Sequence, residues 1–401
     1  MTVDRFAALW RSLEPIGRSA STGGYVRYAW SPAELSCREW FTEEAYDRNL
    51  AVETDHNGNL WAWWGDPAAG DAVVTGSHLD SVPHGGGFDG ALGIVSALVA
   101  VDLLRERGVR PRRPLGIVAF AEEEGSRFGV ACLGSRLLTG AADPATARSL
   151  VDRNGESLAE VVHESGLDPE RLGAEPDRLA RIGSYVELHI EQGRALGDNP
   201  VGVASAIWPH GRWRLDLSGQ ANHAGTTRMA DRHDPMLTFA YTVLAANKEA
   251  RLAGAHATIG RVNVEPNATN AIPARVSAWL DARAPEQSTL EALIEAVRGR
   301  ATERAARDGT RVEMVAESVS AVTEFDVPLR DRLAGRLGGV PVLATGAGHD
   351  AGVLAAAGVP TAMLFVRNPT GVSHAPDEHA SDADCAAGVE ALTTVLEDLC
   401  A

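Results

Sequence analysis

Two kinds of segment alternate between about residues 70 and 205, as shown by the pattern of apolar and polar positions. Short β-rich apolar runs are separated by stretches with helical spacing: DAVVTGSH (71–78), GALGIVSALVAVDLLRER (90–107), RPLGIVAFA (113–121) and SYVELHI (184–190). This alternation is typical of βαβ units, which build a mostly parallel sheet covered by helices. Ligands collect beyond the carboxyl ends of the strands in such sheets. We therefore predict an α/β fold with its functional site at that edge.

The pattern changes between about residues 209 and 319. From RWRLDLSG to TRVEMVAES it predicts a strand, a helix, two strands, a helix and a strand. This βαββαβ order is that of a ferredoxin-like domain. Strand–helix–strand character then resumes in VPVLATGAGHDAGVLAAAGVPTAMLFV (340–366). We predict a discontinuous α/β domain, residues 1–208 and 320–401, and an inserted ferredoxin-like α+β domain, residues 209–319.

Composition narrows the possible partners. A chain of 401 residues exceeds what one hydrophobic core usually supports, and 45% apolar with 23% charged residues is ordinary for a globular protein. The net charge of −17 argues against nucleic acid or an anionic membrane surface, because either partner needs a basic face. Small molecules and protein partners remain.

The chain shows no feature of export or membrane insertion. Its first segment, MTVDRFAALWRSLEPIG, has charges among its apolar residues and predicts an amphipathic helix rather than a signal sequence. The longest apolar stretch, residues 91–104, is too short to cross a bilayer and predicts a buried helix. The cysteines have no CxxC spacing, which favours reduced thiols. We expect a cytoplasmic protein.

Candidate metal ligands follow the predicted strands: His78, Asp89, Glu124, His189 and His374. One divalent ion is satisfied by three or four protein ligands, so this set, with a spare carboxylate at Glu123, indicates a pair of ions that share a bridging aspartate. Imidazole and carboxylate together suit Zn2+, Mn2+, Co2+ or Ni2+. The pattern predicts two divalent metal ions and metal-assisted hydrolysis.

Local sequence indicates how these ligands are arranged. His78 and Asp80 are two residues apart and would share a strand face, so Asp80 is a candidate to accept the second N–H of the imidazole. The glycines within residues 85–90 allow a turn that brings Asp89 toward His78, which makes Asp89 the bridging candidate. Neighbours in the run 122–124 project in opposite directions, so one carboxylate can bind metal while its neighbour acts as general base.

The motifs taken together resemble a known family. They are GSHLDSVPHGGGFDGALG, EEEGSRFG, HIEQG, HAGTTRM, GAGHDAG and GVSHAPDE. In this order they are similar to the M20-type metal-dependent amidohydrolases, in the branch that holds allantoate amidohydrolase and N-carbamoyl-L-amino acid hydrolase. The resemblance extends from about residue 50 to the C-terminus.

The resemblance implies a role for each candidate ligand. One ion is bound by His78 and His189. The other is bound by Glu124 and His374, and Asp89 bridges the two. The α/β domain is then the catalytic domain.

The resemblance also implies two catalytic residues that are not metal ligands. Glu123 becomes the general base. His223, on the inserted domain, reaches across a homodimer into the partner's active site and polarises the scissile carbonyl. The inserted domain thereby serves as a lid and a dimerisation domain.

The same resemblance implies that a group of residues binds the carboxylate of the substrate. Arg283 and Asn270 are its main members, assisted by Gln192 and by the backbone near Gly348. Arg283 is suited to the task because a guanidinium binds a carboxylate through two parallel hydrogen bonds. We add His210 as a candidate substrate contact.

The chain departs from the family pattern in two places. Arg228 stands where the family usually has proline, and the segment AIWPHGRWR (206–214) brings Trp208, His210 and Arg212 near the predicted domain junction. These cationic groups fit either a second carboxylate on the substrate or a salt bridge at a hinge.

The expected activity is hydrolysis of a carbamoyl or ureido C–N bond in a small molecule that carries a carboxylate, with release of ammonia. An N-formyl or N-acyl amino acid deacylase would need the same machinery. A dipeptidase is less favoured, because many peptidases of the wider family have a carboxylate at the position of His189. A binding protein that lost its activity is the non-enzyme alternative.

Overall fold

A computed structural model describes residues 2–401 of the chain. That part of the chain contains fifteen strands and twelve helices. The strands are β1 Ala51–Thr54, β2 Leu60–Trp64, β3 Ala72–His78, β4 Leu115–Phe120, β5 Ile182–Ile190, β6 Val201–Ile207, β7 His210–Ser218, β8 Asn222–His223, β9 His256–Glu265, β10 Ala271–Ile272, β11 Arg275–Arg283, β12 Arg311–Ser320, β13 Thr323–Glu324, β14 Val342–Thr345 and β15 Thr361–Val366. The helices are α1 Thr2–Leu13, α2 Pro32–Asp47, α3 Ala91–Glu106, α4 Leu133–Thr139, α5 Pro144–Arg148, α6 Leu158–Glu164, α7 Pro176–Leu179, α8 Pro235–Ala253, α9 Gln287–Asp308, α10 Val327–Arg336, α11 Asp350–Ala356 and α12 Asp382–Cys400.

Four strands form the parallel centre of the larger sheet. Its order is β1-β2-β4-β3-β5-β15-β6-β13, and β14 also pairs with β6. Strands β4, β3, β5 and β15 are mutually parallel, whereas β1 and β2 run antiparallel to their neighbours and β6 pairs antiparallel with β15. Every residue of β3, β4 and β15 is buried, as expected for strands covered on both faces. The predicted α/β fold with a mainly parallel sheet is confirmed.

Helices α1, α3 and α12 share the main hydrophobic core with this sheet. Helix α3 is almost entirely buried, with Ile94, Leu98 and Val101 among its core residues. The prediction of a buried helix at 91–104 is therefore confirmed, as is the amphipathic helix near the N-terminus. Among residues 2–401 no helix is long and apolar enough to span a membrane. The four cysteines are free and buried, in agreement with the sequence prediction.

The chain divides into two compact units. The first contains the chain up to Ser205, residues 324–343 and residues 347–401, and the second contains residues 206–323 and 344–346. The chain leaves the first unit after Ser205 and re-enters it near Phe325. These two points are adjacent, as shown by the hydrogen bond from the backbone N–H of Phe325 to the carbonyl of Ser205 at 3.1 Å. The predicted boundaries, 208/209 and 319/320, lie close to these divisions.

The elements of the second unit follow the order β7, β8, α8, β9, β10, β11, α9 and β12. Its four-stranded antiparallel sheet runs β12-β7-β11-β9. Buried and more exposed positions alternate along β7 and β11, because only one face of this sheet packs on helices. The core between them includes Leu217 of β7, Leu280 of β11, Ala246 of α8 and Leu293 of α9.

Candidate metal centre

The predicted ligands meet at the carboxyl edge of the parallel strands. His78 is the last residue of β3, and His189 is the last but one of β5. Glu124 follows β4, and His374 follows β15. Asp89 lies on the loop between β3 and α3. Because parallel strands end at one edge of a sheet, residues distant in sequence come together there.

One cluster is formed by His78, Asp89 and His189. Asp89 Oδ1 lies 3.4 Å from His78 Nε2 and 3.1 Å from His189 Nε2. The Nδ1 atoms face backbone carbonyls, that of Asp80 at 3.0 Å and that of Ile190 at 2.9 Å. A carbonyl can only accept, so each Nδ1 carries a proton, and a ring that gives up its second proton has its lone pair on Nε2, which faces Asp89. This is the form in which imidazole binds a metal.

Gly90 allows this cluster to form. Its φ of +70° is left-handed, and a Cβ at this position would collide with the ring of His78. A side chain at position 90 would therefore disturb both the turn after Asp89 and the His78 ring.

Asp80 differs in part from the prediction. The closest acceptor of His78 Nδ1 is the Asp80 backbone carbonyl, while the Asp80 carboxylate lies 3.5 Å away. The reason is that β3 ends at His78, so strand alternation does not extend to residue 80. The Asp80 carboxylate instead accepts the backbone N–H groups of Glu123 at 3.2 Å and Glu124 at 3.1 Å. It thus holds the two glutamates in place.

A second cluster is formed by Asp89, Glu124 and His374. His374 Nε2 lies 3.4 Å from Asp89 Oδ2 and 3.6 Å from Glu124 Oε2. Asp89 therefore offers one carboxylate oxygen to each cluster, which is the geometry of a bridging ligand. Gln192, predicted to contact substrate, also lies here, and its Nε2 donates to Asp89 Oδ2 at 2.8 Å.

The side chains of the three consecutive glutamates, residues 122–124, point in two directions. The chain turns at Glu122, whose φ is +53°, and its carboxylate accepts the backbone N–H groups of Arg127 and Phe128. Glu123 and Glu124 both reach the clusters, and Glu123 Oε2 lies 3.7 Å from His78 Nε2. The expectation that these neighbours project oppositely is wrong for this pair, because the segment after β4 is bent rather than extended.

Burial and neighbouring charge shift the acidity of the carboxyl groups. Burial raises the pKa of Glu123 well above its usual range, and the nearby Asp350 and Glu124 add to the effect. Burial likewise raises the pKa of Glu124 to about 7. Burial also opposes ionisation of Asp89, but neighbouring imidazoles, His189 first, outweigh it and hold the pKa of Asp89 well below its usual range.

The donor set fits divalent cations. Among residues 2–401, His78 Nε2 and Glu124 Oε1 are buried atoms without a hydrogen-bond partner. Leaving a buried polar atom unpaired costs about 1–3 kcal/mol, so such atoms are usually satisfied by a ligand or an ion. The hydrogen bond to Asp89 raises the pKa of His374 to about 9, and a bound cation would displace that proton.

Three buried residues at the centre were not singled out from the sequence. The His349 ring lies 4.5 Å from the His189 ring, and its nitrogens have no hydrogen-bond partner among residues 2–401. Glu187 accepts from Ser77 Oγ at 2.8 Å, and Asp350 accepts from the hydroxyl of Ser135. The spacing of Glu187 and His189 on one strand face was an available signal, and His349 and Asp350 lie inside the GAGHDAG motif.

A fourth residue missed by the sequence prediction is Glu378. Its carboxylate accepts the backbone N–H groups of Phe88 and Asp89, each at 2.9 Å. No short-range pattern relates positions 88–89 to 378, so only the fold reveals this contact. Gly348, which was predicted to contact substrate, is exposed immediately before His349.

His223 belongs to the second unit. It pairs with Ala271 in the two-stranded sheet of β8 and β10 and is exposed. The backbone N–H of Gly225 donates to His223 Nδ1 at 3.0 Å, so the neutral ring carries its proton on Nε2. In this form His223 can donate a hydrogen bond to an oxygen that gains negative charge. Asn270 is also exposed, and its backbone carbonyl accepts from Ala224.

Arg283 is already paired with a carboxylate of its own unit. Its Nε and Nη2 donate to Asp281 at 2.9 and 3.3 Å, and its Nη1 donates to the carbonyl of Gly346 at 2.6 Å. A guanidinium has five N–H donors, so a second fork remains on the Nη1 and Nη2 side. His210 Nδ1 lies 3.0 Å from the carbonyl of Trp208.

The two unusual arginines also have local partners. Arg228 forms an ion pair with Asp231 at 2.6 Å, and Arg212 lies 3.6 Å from Asp281. Both pairs lie within the second unit.

Comparison with known proteins gives consistent matches over nearly the whole chain. The family "Peptidase family M20/M25/M40" matches residues 74–398. The N-carbamoyl-L-amino acid amidohydrolase of Geobacillus stearothermophilus is 36% identical and covers 96% of each chain. The allantoate amidohydrolase of Escherichia coli K12 is 33% identical and covers 94% of this chain and 93% of its own. The crystal structure of AtUAH in complex with (S)-hydroxyglycine has a TM-score of 0.86 at 27% identity, covering 99% of this chain and 97% of that one.

Proposed function

The chain belongs to peptidase family M20/M25/M40, and from this premise we propose that it is a metal-dependent amidohydrolase that cleaves carbamoyl or ureido C–N bonds. The family resemblance read from the sequence is confirmed. Relatives that match almost the full length are named for N-carbamoyl-L-amino acids and allantoate. A small substrate with a carboxylate and a terminal ureido group is therefore the proposed class. The observation that carries the proposal is the pair of ligand clusters joined by Asp89, with Glu123 beside them.

We assign two divalent ions to these clusters. His78 and His189 would hold one, Glu124 and His374 would hold the other, and Asp89 would bridge them. The nitrogen and oxygen donors suit Zn2+ or Mn2+, with Co2+ or Ni2+ as further candidates. When bound, the ions would make the attacking water more acidic and polarise the scissile carbonyl.

Glu123 is the proposed general base. It is buried with its Oε2 3.7 Å from His78 Nε2, and burial raises its pKa, which makes it a stronger proton acceptor than an exposed carboxylate. It would take a proton from the attacking water and give it to the leaving nitrogen. Ammonia, carbon dioxide and an amino acid or ureido acid would leave the site.

The substrate's carboxylate is assigned to Arg283. Its Nε side is held by Asp281 and its Nη1 by Gly346, which orients the guanidinium before substrate arrives. The remaining fork would bind the carboxylate through two parallel hydrogen bonds. Asn270, Gln192, His210 and the backbone at Gly348 are the further proposed contacts.

A homodimer is proposed from the surface of the second unit. Helix α8 exposes a stripe of apolar residues, including Leu237, Tyr241, Leu244 and Leu252. The first three are four and three residues apart and Leu252 lies about two turns further on, so they share one side of the helix. Strand β9, at the edge of its sheet, is also largely exposed. Contiguous exposed apolar surface and an open strand edge are typical of an interface.

Leu244→Asp is expected to convert the dimer to a monomer, because it places a charge in the centre of the stripe at a side chain that is 70% exposed. Sedimentation velocity should show the mass halved, and activity should fall with it. Leu35→Asp, on α2 of the first unit and also exposed, is the matched control and should leave the mass unchanged. A Leu244→Asp variant that remains dimeric would remove this face from the proposal.

The activity is tested by ammonia release from allantoate and a panel of N-carbamoyl-L-amino acids, with enzyme reloaded with Mn2+, Zn2+ or Co2+. We expect turnover on the order of 1–10³ s⁻¹ with a preferred substrate, the common range for enzymes. N-carbamoyl-D-amino acids serve as controls and should not be hydrolysed. Release of formate or another acid from N-formyl or N-acyl amino acids, without ammonia release despite confirmed metal loading, would instead identify a deacylase.

A further inference from the structure

The carboxylate of Glu378 joins the two loops that carry Asp89 and His374. Glu378 is only 4% exposed. Its Oε1 accepts the backbone N–H groups of Phe88 and Asp89, both at 2.9 Å, and its Oε2 accepts from Ser373 Oγ at 3.3 Å. Ser373 immediately precedes His374, so one side chain is attached to the loops of both ligands.

The loop of Asp89 is shaped to receive this carboxylate. A Cβ at Gly86 would collide with the side chain of Glu378, including its carboxylate carbon and Oε1. Glycine at this position therefore leaves the space in which Glu378 reaches the backbone of residues 88–89. Any larger residue at position 86 would push the carboxylate away from those N–H groups.

The loop of His374 is held by hydrogen bonds at its base, whereas His374 itself is more exposed. Asn368 is 1% exposed; its Oδ1 accepts from the backbone of Thr370 and Gly371, and its Nδ2 donates to the carbonyl of Val372 at 2.7 Å. The His374 side chain is half exposed, and its backbone has a positive φ of +57°. Glu378 therefore ties this part of the loop to the backbone of residues 88–89, in addition to the longer contact of Ser373 Oγ with Asp89 Oδ2 at 3.5 Å.

We propose that Glu378 is a positioning residue that sets the separation of Asp89 and His374 and thereby selectively supports the ion of the Asp89–Glu124–His374 cluster. This inference rests on the proposed function. The selectivity follows from the fold: His78 and His189 lie on β3 and β5, where the sheet holds them without Glu378. The second cluster, in contrast, takes two of its three members from the loops that Glu378 joins.

Two conservative variants test separately whether the length or the charge of the Glu378 side chain matters. Glu378→Gln keeps the length and an oxygen that accepts both N–H groups, but loses the charge. Glu378→Asp keeps the charge but is one methylene shorter. A positioning role predicts that the aspartate variant loses the second ion and the glutamine variant retains it, whereas a purely electrostatic role predicts the reverse.

The measurement is metal content and Zn2+ affinity by competition with a chelator, which needs no activity assay. We expect Glu378→Asp and Glu378→Ala to lower the affinity for the second ion about 10–100-fold, which is the usual effect of removing a residue that orients metal ligands. The affinity for the first ion should change about threefold or less. Gly86→Ala should reproduce this loss independently. Asp377→Asn is the matched control, because Asp377 is the exposed neighbour. Thermal unfolding in chelator shows whether each variant is folded.

The outcomes are distinct. Two ions in the wild type and one in the folded Glu378→Asp variant support the inference. Two ions bound with unchanged affinity in Glu378→Asp and Gly86→Ala, or selective loss in Glu378→Gln alone, overturn it and leave the proposed function intact. A wild type that binds fewer than two ions contradicts the proposed function itself, and this inference with it.

Discussion

Glu123→Gln is expected to lower kcat by about 10²–10⁴-fold, the range contributed by general acid–base catalysis, while two ions remain bound. The amide fills the same space but cannot accept a proton from water or return one to the leaving nitrogen. Steady-state ammonia release, together with the metal content of the same sample, measures both consequences.

Glu122→Gln is the matched control for this prediction. Glu122 is buried beside Glu123, and burial raises its pKa to about 8, so in the metal-free protein it already holds a proton at neutral pH. The amide can still accept the N–H groups of Arg127 and Phe128, and activity should stay near that of the wild type. Loss of metal from Glu123→Gln would show that Glu123 is a ligand and would remove it as the base.

His223→Ala is expected to lower kcat about 10²–10³-fold, the effect of removing one hydrogen-bond donor to a developing oxyanion. The N–H of Gly225 already occupies Nδ1, so Nε2 is the donor that the alanine removes. Metal content should not change, because His223 belongs to neither cluster.

Mixing two inactive variants tests whether His223 acts in the partner subunit. In a two-fold symmetric dimer of Glu123→Gln and His223→Ala chains, one site carries both defects and the other carries none. Random exchange should therefore restore about a quarter of wild-type activity, since half of the dimers are mixed and each has one intact site. Mixed dimers that form, as seen by native mass spectrometry, yet stay inactive would place His223 in its own subunit's site.

The candidate ligands could be grouped from the sequence because parallel strands impose a common edge. His78 and His189 end two apolar runs, and Glu124 follows a third, so strand polarity alone places them together. Asp89 depends on the glycine turn, which is also visible locally. The second unit differs from the first because its strands β7 and β11 alternate buried and more exposed positions, whereas β3, β4 and β15 are buried throughout.

What the sequence did not predict depends on contacts between distant segments or on bends. Glu378 meets Asp89 from the far end of the chain, and nothing near either residue signals the contact. The turn at Glu122 sends Glu123 and Glu124 to the same side, against strand alternation. The Asp281 partner of Arg283, in contrast, was within reach of sequence reasoning, because residues two apart on a strand share a face.

The hydrogen bond between Ser205 and Phe325 has an evolutionary consequence. Because the chain departs and returns at neighbouring backbone positions, segment 206–323 can lengthen, shorten or be exchanged by recombination without changing strands β3, β4, β5 and β15. Selection can then act on mutations near Arg283 independently of mutations near Asp89, because the two residues belong to different units. Such modularity lets a lineage diversify the compounds it degrades while inheriting one set of candidate metal ligands.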